Sequence, residues 1–299
     1  MIPIVSITSM STVASMRKQL YSWFKKNGRH DLPWRQTQDP YKILISEVML
    51  QQTQVSRVHL RWEKWIDRWP NINSLASATR KEVIQEWAGL GYNRRSVNLH
   101  RTAQELVLSH NGKVPLDETI LQKLPGIGPY TAAAITCFTK NQKAQPTDIN
   151  ISRLIARAFL GLQNPNDSTK QIIRQALVTF EPKQNFRKHY LALMDLGALV
   201  CQSRSPSCHV CPWQNNCSWL QGGKTPTTTP KKHLQPFSES ARFARGKIID
   251  YLRKKPTMTT AEIHYLLPDN HKKQTAHYLQ ALVTEGLIEK KDDNWSLPN

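Results

Sequence analysis

Acidic residues are the first shortage: the 299-residue chain has 22 Asp and Glu against 41 Lys and Arg, a formal charge of +19. That imbalance argues against an acidic or neutral ligand-binding surface and for a polyanionic partner whose binding weakens with salt. Long apolar runs are also missing. None approaches the roughly 18 to 20 residues that span a bilayer. The opening MIPIVSITSMSTVASM lacks both a basic leader and a long apolar stretch, so neither a signal peptide nor a membrane partner is expected. Cysteine is scarce, and four of the 5 cysteines crowd into 201–217, while Cys137 lies in an apolar helical stretch. Clustered cysteines without an export signal argue against a disulfide framework and for metal ligands in a reducing compartment, hence a cytoplasmic protein. With 18 prolines and 12 glycines the chain is neither fibrous nor low in complexity, and its length allows one large domain or two modest ones.

Residues 12–220 alternate apolar-periodic segments of helical length with short breaks carrying Pro, Gly, Asn or Asp, and show no strand pattern, which predicts an all-α body. In DPYKILISEVML, Asp39 suits an N-cap and Pro40 the first helical position, so a helix is expected from there through Thr53. Further helices are expected at 74–78, 94–109, 130–139, 150–161, 168–180 and 186–200. The Pro, Thr and Lys-rich segment GGKTPTTTPKKHLQPF at 222–237 has nothing to bury and reads as a linker. Beyond it, three short helical patterns precede a hairpin at 287–297 turning at Asp292, Asp293 and Asn294, an order resembling a winged helix.

LPGIGPYTAAAI at 124–135 packs Pro125, Gly126, Gly128 and Pro129 just before an Ala-rich helix. Such a turn leaves backbone N–H groups at a positive helix start, and the glycines keep no side chain in the way of an approaching phosphate. Taken alone it is equally an ordinary tight helix connection. Asp148 follows 20 residues after Gly128 and, taken alone, reads as an N-cap. Cys201, Cys208, Cys211 and Cys217 have the spacing C-x6-C-x2-C-x5-C; four thiolates so placed suit tetrahedral zinc or a [4Fe-4S] cluster, and chemistry alone does not choose.

The order of hairpin, Asp and Cys cluster resembles the helix-hairpin-helix DNA glycosylase superfamily, in its iron-sulfur branch. LPWR at 32–35, SEVMLQQTQV at 46–55, GLGYNRR at 89–95 and MDLGALVC at 194–201 are similar to the A/G-specific adenine DNA glycosylases. The resemblance covers roughly 15–220. It implies a two-lobed glycosylase body at 16–221 with a [4Fe-4S] loop at 201–217, preceded by a disordered 1–15. After the linker at 222–237, the segment 238–299 forms a small winged-helix-like α+β module where family members usually carry a Nudix-like domain. The cofactor implied is a [4Fe-4S] cluster on the four cysteines, whose loop presents Arg204 to DNA phosphates. The partner is double-stranded DNA containing a mispaired or damaged base, bound by a monomer.

Cleaving an N-glycosidic bond needs a proton for the departing base and negative charge near the sugar as it becomes cationic. By the resemblance, Glu47 is the general acid; a Glu in the nearly continuous apolar run ILISEVML would have its pKa raised by burial, which suits that task. Asp148 stabilises the sugar cation, supported by Asn150 and Arg153. Tyr130 stands where bifunctional relatives place a Lys; a phenol cannot form an imine, so a monofunctional enzyme leaving an abasic site is expected. Gln52, Thr53, Tyr92, Gly126, Gly128 and Arg153 are the expected DNA-binding residues, and Leu32, Trp34 and Leu191 the base pocket.

The pattern departs from the adenine enzymes in places. Asp-Ile-Asn stands at 148–150 where the family has Asp-Gly-Asn, Leu191 replaces a frequent Gln or Glu, and Asn93 replaces a frequent Tyr. Leu191 also resembles the mismatch thymine glycosylases. The leading expectation is removal of adenine opposite G or 8-oxoguanine. The alternatives are removal of thymine or uracil opposite G, removal of hypoxanthine, or a non-catalytic lesion-binding iron-sulfur protein.

Overall fold

The computed structural model describes residues 9–223 and 236–299. Along the chain run α1 (Met10–Asn27), α2 (Pro40–Leu50), α3 (Val55–Arg68), α4 (Ile72–Ala76), α5 (Arg80–Glu86), α6 (Arg94–His110), α7 (Glu118–Leu121) and α8 (Pro129–Lys140). They are followed by α9 (Ile149–Leu160), α10 (Lys170–Phe180), α11 (Phe186–Asp195) and α12 (Ser218–Gln221). The C-terminal part holds α13 (Ala241–Lys254), β1 (Thr257–Thr259), α14 (Thr260–Leu266), α15 (Asp269–Lys272), α16 (Thr275–Thr284), β2 (Glu289–Lys291) and β3 (Asn294–Ser296). It is a mostly α-helical body with a small C-terminal β-containing module. Among the described residues no helix is long and apolar enough to cross a membrane.

The helix ends have local causes. Asp39 accepts from the amides of Tyr41 and Lys42 at the start of α2, with Pro40 at its first position. Thr79 and Glu82 form a reciprocal capping box on α5, satisfying two donors that a helix start otherwise leaves open. Helix α2 stops at Leu50, three residues before the expected Thr53, and α11 passes at Leu196–Val200 into a π-helical turn. α1 begins at Met10, where Ser9 accepts from the Thr12 amide, and it buries Val13, Met16, Leu20 and Phe24. Part of the segment expected to be disordered is therefore helical, because its apolar residues recur at helical spacing; residues 1–8 lie outside the described residues, as do 224–235 of the expected linker.

The chain divides into two compact units, one drawn from Met1–Gln38 and Ala132–Pro230, the other from Asp39–Thr131 and Lys231–Asn299. In the first, Phe159, Phe180 and Trp213 pack edge to face or tilted, and the Trp213 indole donates to the Met16 carbonyl at 2.9 Å. In the second, Trp65 stacks edge-on with Trp69 and Trp87. The C-terminal module belongs to this second unit. Its core of Ile248, Leu252, Leu279 and Leu282 is continuous with Ile84 of α5 and Val97 of α6. β3 is the central strand of an antiparallel sheet ordered β1-β3-β2, and Asp292 turns the hairpin at φ 52.

Candidate active site

The site residues expected from the sequence fall in both units. In the second, Glu47 lies on α2, which buries Tyr41, Ile43, Leu44, Ile45, Ser46, Val48 and Met49 as well. A helix buried on every side holds its one carboxylate, 6% exposed, in surroundings that contain little water. The carbonyls at the end of α2 are received by Arg95, whose Nη1 donates to Val48 at 2.8 Å and Met49 at 2.9 Å. Its Nη2 donates to the Thr53 hydroxyl at 2.9 Å and to the carbonyls of Leu90 and Gly91 at 3.1 and 2.9 Å. The guanidinium also lies 5.1 Å from the Trp87 ring and 5.6 Å from the Tyr92 ring. Burial lowers its pKa to about 10, which still leaves it charged at neutral pH. Arg95 thus ties the loop after α2 to the loop before α6.

Those two loops contain the backbone's unusual conformations. Gln52 has φ 55 and Tyr92 φ 47, whereas the remaining non-glycine residues with positive φ among the described residues are Asn or Asp. Gln and Tyr adopt that region at a cost, and such strain persists where surrounding bonds over-determine it. Both side chains are exposed. In the hairpin, Gly126 has φ +78, and a Cβ there would sit 3.0 Å from the Asn98 Cβ; Gly128 meets nothing within 4 Å. The turn is held by the Thr102 hydroxyl on the Pro125 carbonyl at 2.9 Å and by Gln51, whose amide reaches the Thr131 hydroxyl at 3.3 Å. Tyr130, at the start of α8, is half-buried.

In the first unit, Asp148 caps α9. Its Oδ1 accepts from the Ile151 amide at 2.7 Å and its Oδ2 from Asn150 at 2.7 Å, while Asn150 Oδ1 accepts from Arg153 at 2.9 Å. Burial raises the Asp148 pKa, although the bonds from Ile151 and Asn150 and the charge of Arg153 pull the other way. Arg153 is 6% exposed and also donates to the carbonyls of Cys201 and Gly197, each at 2.8 Å. Through these bonds Arg153 supports the Asp148 loop.

Leu32 and Trp34 are both 6% exposed, in and beside a 3-10 turn at Pro33–Arg35, and Leu191 is half-buried on α11. The turn is clamped by Asp195. Arg35 grips its carboxylate with two bonds of 2.6 and 2.8 Å, and Arg29 adds its backbone amide at 2.9 Å and its Nε at 2.7 Å. Burial pushes the Asp195 pKa up, but Arg35 and Arg29 outweigh it and hold the carboxyl below its ordinary value.

The cysteines require a correction. Cys201, Cys208, Cys211 and Cys217 line one cavity. Among the described residues no group of three or more His, Cys, Asp or Glu side chains is arranged to hold a metal ion. Two of the sulfurs meet Arg157, which donates to Cys201 Sγ at 3.5 Å and whose carbonyl lies 3.7 Å from the Cys217 thiol. Burial, with the neighbouring sulfurs, pushes Cys211 up to about 12 and raises Cys208 and Cys217 too. The expected [4Fe-4S] cofactor, the metal role of the four cysteines and the iron-sulfur loop in the fold are overturned by the absence of any such group among the described residues. The loop is held instead by buried Arg157, which donates to the carbonyls of Gln202 and Ser203 at 2.7 and 2.9 Å and lies 5.0 Å from the Trp219 ring.

A family model described as HhH-GPD superfamily base excision DNA repair protein matches residues 45–182. The adenine DNA glycosylase of Mycolicibacterium smegmatis is 38% identical over 278 residues, 92% of this chain and 93% of that protein. The chain belongs to the HhH-GPD superfamily, in its adenine DNA glycosylase branch. The human adenine DNA glycosylase is 36% identical over 221 residues, 70% of this chain and 40% of its own length. Among solved structures, a thermostable thymine-DNA glycosylase is 29% identical with a TM-score of 0.65, covering 71% of this chain and 98% of that one. A non-covalent endonuclease III–DNA complex, 20% identical with a TM-score of 0.61 over 72% of this chain and 99% of that one, shares the fold.

Two residues that fix the segments carrying expected site residues are not singled out by the sequence reading. Arg95 was passed over within GLGYNRR, and Asp195 within MDLGALVC. For Asp195 the signal available was a carboxylate inside a motif otherwise built of small and apolar residues; Arg95 stands beside Asn93 and Arg94 with no such contrast, and its partners Val48, Met49 and Thr53 are far away in sequence.

Proposed function

We propose that this chain is a monofunctional DNA glycosylase of base excision repair. It hydrolyses the N-glycosidic bond of adenine mispaired with G or 8-oxoguanine in double-stranded DNA and acts as a monomer. The observation that carries the reading is the end-to-end similarity to an adenine DNA glycosylase, over 92% of this chain. In this reading Glu47 delivers a proton to the departing adenine. The Asp148 carboxylate, oriented by Asn150, stabilises the sugar cation until water adds at the anomeric carbon, so that free adenine and an abasic site result. Gln52, Thr53 and Tyr92 contact the duplex, the turn at Gly126 and Gly128 receives a backbone phosphate, and Leu32, Trp34 and Leu191 line the base pocket. Tyr130 offers no amine for a Schiff base, so borohydride traps no enzyme–DNA adduct. The expected division of the chain into a glycosylase body at 16–221 and a winged-helix-like module at 238–299 belongs to the same proposal.

A second reading, removal of thymine opposite G, is favoured by the 29% identity to the thymine-DNA glycosylase together with Leu191. A panel of duplexes with single mispairs, followed by alkaline cleavage of abasic sites, separates the two. Adenine release from A·G or A·8-oxoguanine is expected; thymine release alone would establish the second reading, and duplex binding without any alkali-labile site would sink both.

A further inference from the structure

Within the second unit the C-terminal module is fastened to the segment 80–98. Beyond the shared apolar core, Arg253 donates to the Ile84 carbonyl at 2.8 Å and to Asn93 Oδ1 at 3.0 Å. The two parts enclose a cleft of about 970 Å³. Gln52, Thr53 and Tyr92 line one side, and Phe237, Arg242, Phe243 and Lys247 the other.

The charge in this cleft is uneven. Its lining acids are Asp250 and Glu285, and each is taken, by Arg253 and Arg245 respectively. Arg57, Arg94, Arg242 and Lys247 also line it, with no carboxylate at ion-pair distance among the described residues. Two of these cations are held by aromatic rings instead. The Arg242 guanidinium lies 4.6 Å from the Tyr92 ring and 4.9 Å from the Phe237 ring and donates to the Tyr92 hydroxyl; Lys247 Nζ lies 5.6 Å from the Phe243 ring. A cation held on a ring keeps its full charge and its outward N–H groups for an anion, with no carboxylate to displace. Tyr92, which Arg242 holds, is also one of the two strained residues beside the site.

We propose that this cleft is a groove for the sugar-phosphate backbone of DNA. Arg242 and Lys247 of the C-terminal module grip phosphates of the strand that reaches Tyr92, and Arg242 holds Tyr92 in place for it. The module is then part of the DNA grip, not an appendage for a protein partner. The proposal takes from the glycosylase reading only that the polyanion is DNA.

The test is the salt dependence of binding of the full chain to a fully paired duplex, followed by fluorescence anisotropy. Neutralising two phosphate contacts in an Arg242→Ala/Lys247→Ala variant lowers the slope of log Kd against log salt by about 1.8, at roughly 0.9 per phosphate. Arg242→Lys/Lys247→Arg keeps the wild-type slope. An unchanged slope in the alanine variant overturns the groove and leaves an acidic protein as the module's partner. Equal loss in the charge-preserving variant, with an unchanged melting temperature, also overturns it, because charge would then not be what binds. Base release by the wild-type protein from the mispair panel is measured separately: its absence from every duplex with the slope change intact sinks the glycosylase reading and spares the groove.

Discussion

Asp195→Ala tests whether the Leu32–Trp34 turn is held by electrostatics at a distance in sequence. The carboxylate is fully buried, and the side chains of Arg35 and Arg29 are 8% and 27% exposed. Removing one partner of a buried pair costs about 3–5 kcal/mol, because the remaining charges are left without compensation. Arg29 can turn toward water and be screened, so the lower end applies. A loss of about 3 kcal/mol corresponds to a fall in Tm of roughly 6–12 °C for a body of this size. Thermal unfolding at pH 7 reads it directly. The pH dependence has a definite sign: a carboxyl held below its ordinary value in the folded state contributes stability above its unfolded pKa of about 3.9 and loses it as pH falls through the lower folded value. The gap between wild type and variant therefore persists down to about pH 4 and closes only in stronger acid. Base release should fall as well, since Arg35 follows Trp34 directly and its anchor is gone. A Tm within about 2 °C of wild type at pH 7 would refute the reasoning, as would a gap that closes above pH 5.

Glu47→Gln preserves the shape of a buried side chain while removing the proton donor, so base release should drop by about 10²–10⁴ with little change in Tm; release within a few-fold of wild type would remove Glu47 from the acid role. Asp148→Asn separates cap from catalyst: Asn caps a helix about as well as Asp, so the variant should fold normally, and retained activity would show that Asp148 is a cap alone. Because burial raises the Asp148 pKa, the acid limb of the wild-type pH–rate profile should lie above the ordinary carboxylate value of about 3.9, and a limb at or below it would contradict an ionised Asp148 in the reaction. Gly126→Ala combines a φ of +78 with a Cβ 3.0 Å from Asn98, so it should cost more than about 1 kcal/mol; Gly128→Ala, which meets nothing within 4 Å, should cost clearly less, and equal losses in Tm would refute the distinction.

What the sequence determined by itself is what depends on neighbours within a few residues. The Asp39–Pro40 start of α2, the Gly126 turn and the Asp148 cap each rest on bonds to the next two or three residues or on one backbone angle, and so they could be read from the order of residues. The all-α body and the closing hairpin were legible for the same reason, since periodicity is a local property. The start of helix α1 differs from the expected disordered 1–15 because Val13 and Met16 gain their role only by being buried with Leu20 and Phe24. Motif resemblance added the reaction class, which no local pattern contains. Only the tertiary structure decided the rest. Arg95 reaches back to Val48 and Met49, and Asp195 to Arg29 and Arg35, so their roles exist only once distant segments meet. The cysteines are the clearest case: their spacing fixed how close four thiols lie along the chain, but metal binding depends on whether the sulfurs converge around an adequate space. Among the described residues they are not arranged to hold a metal ion.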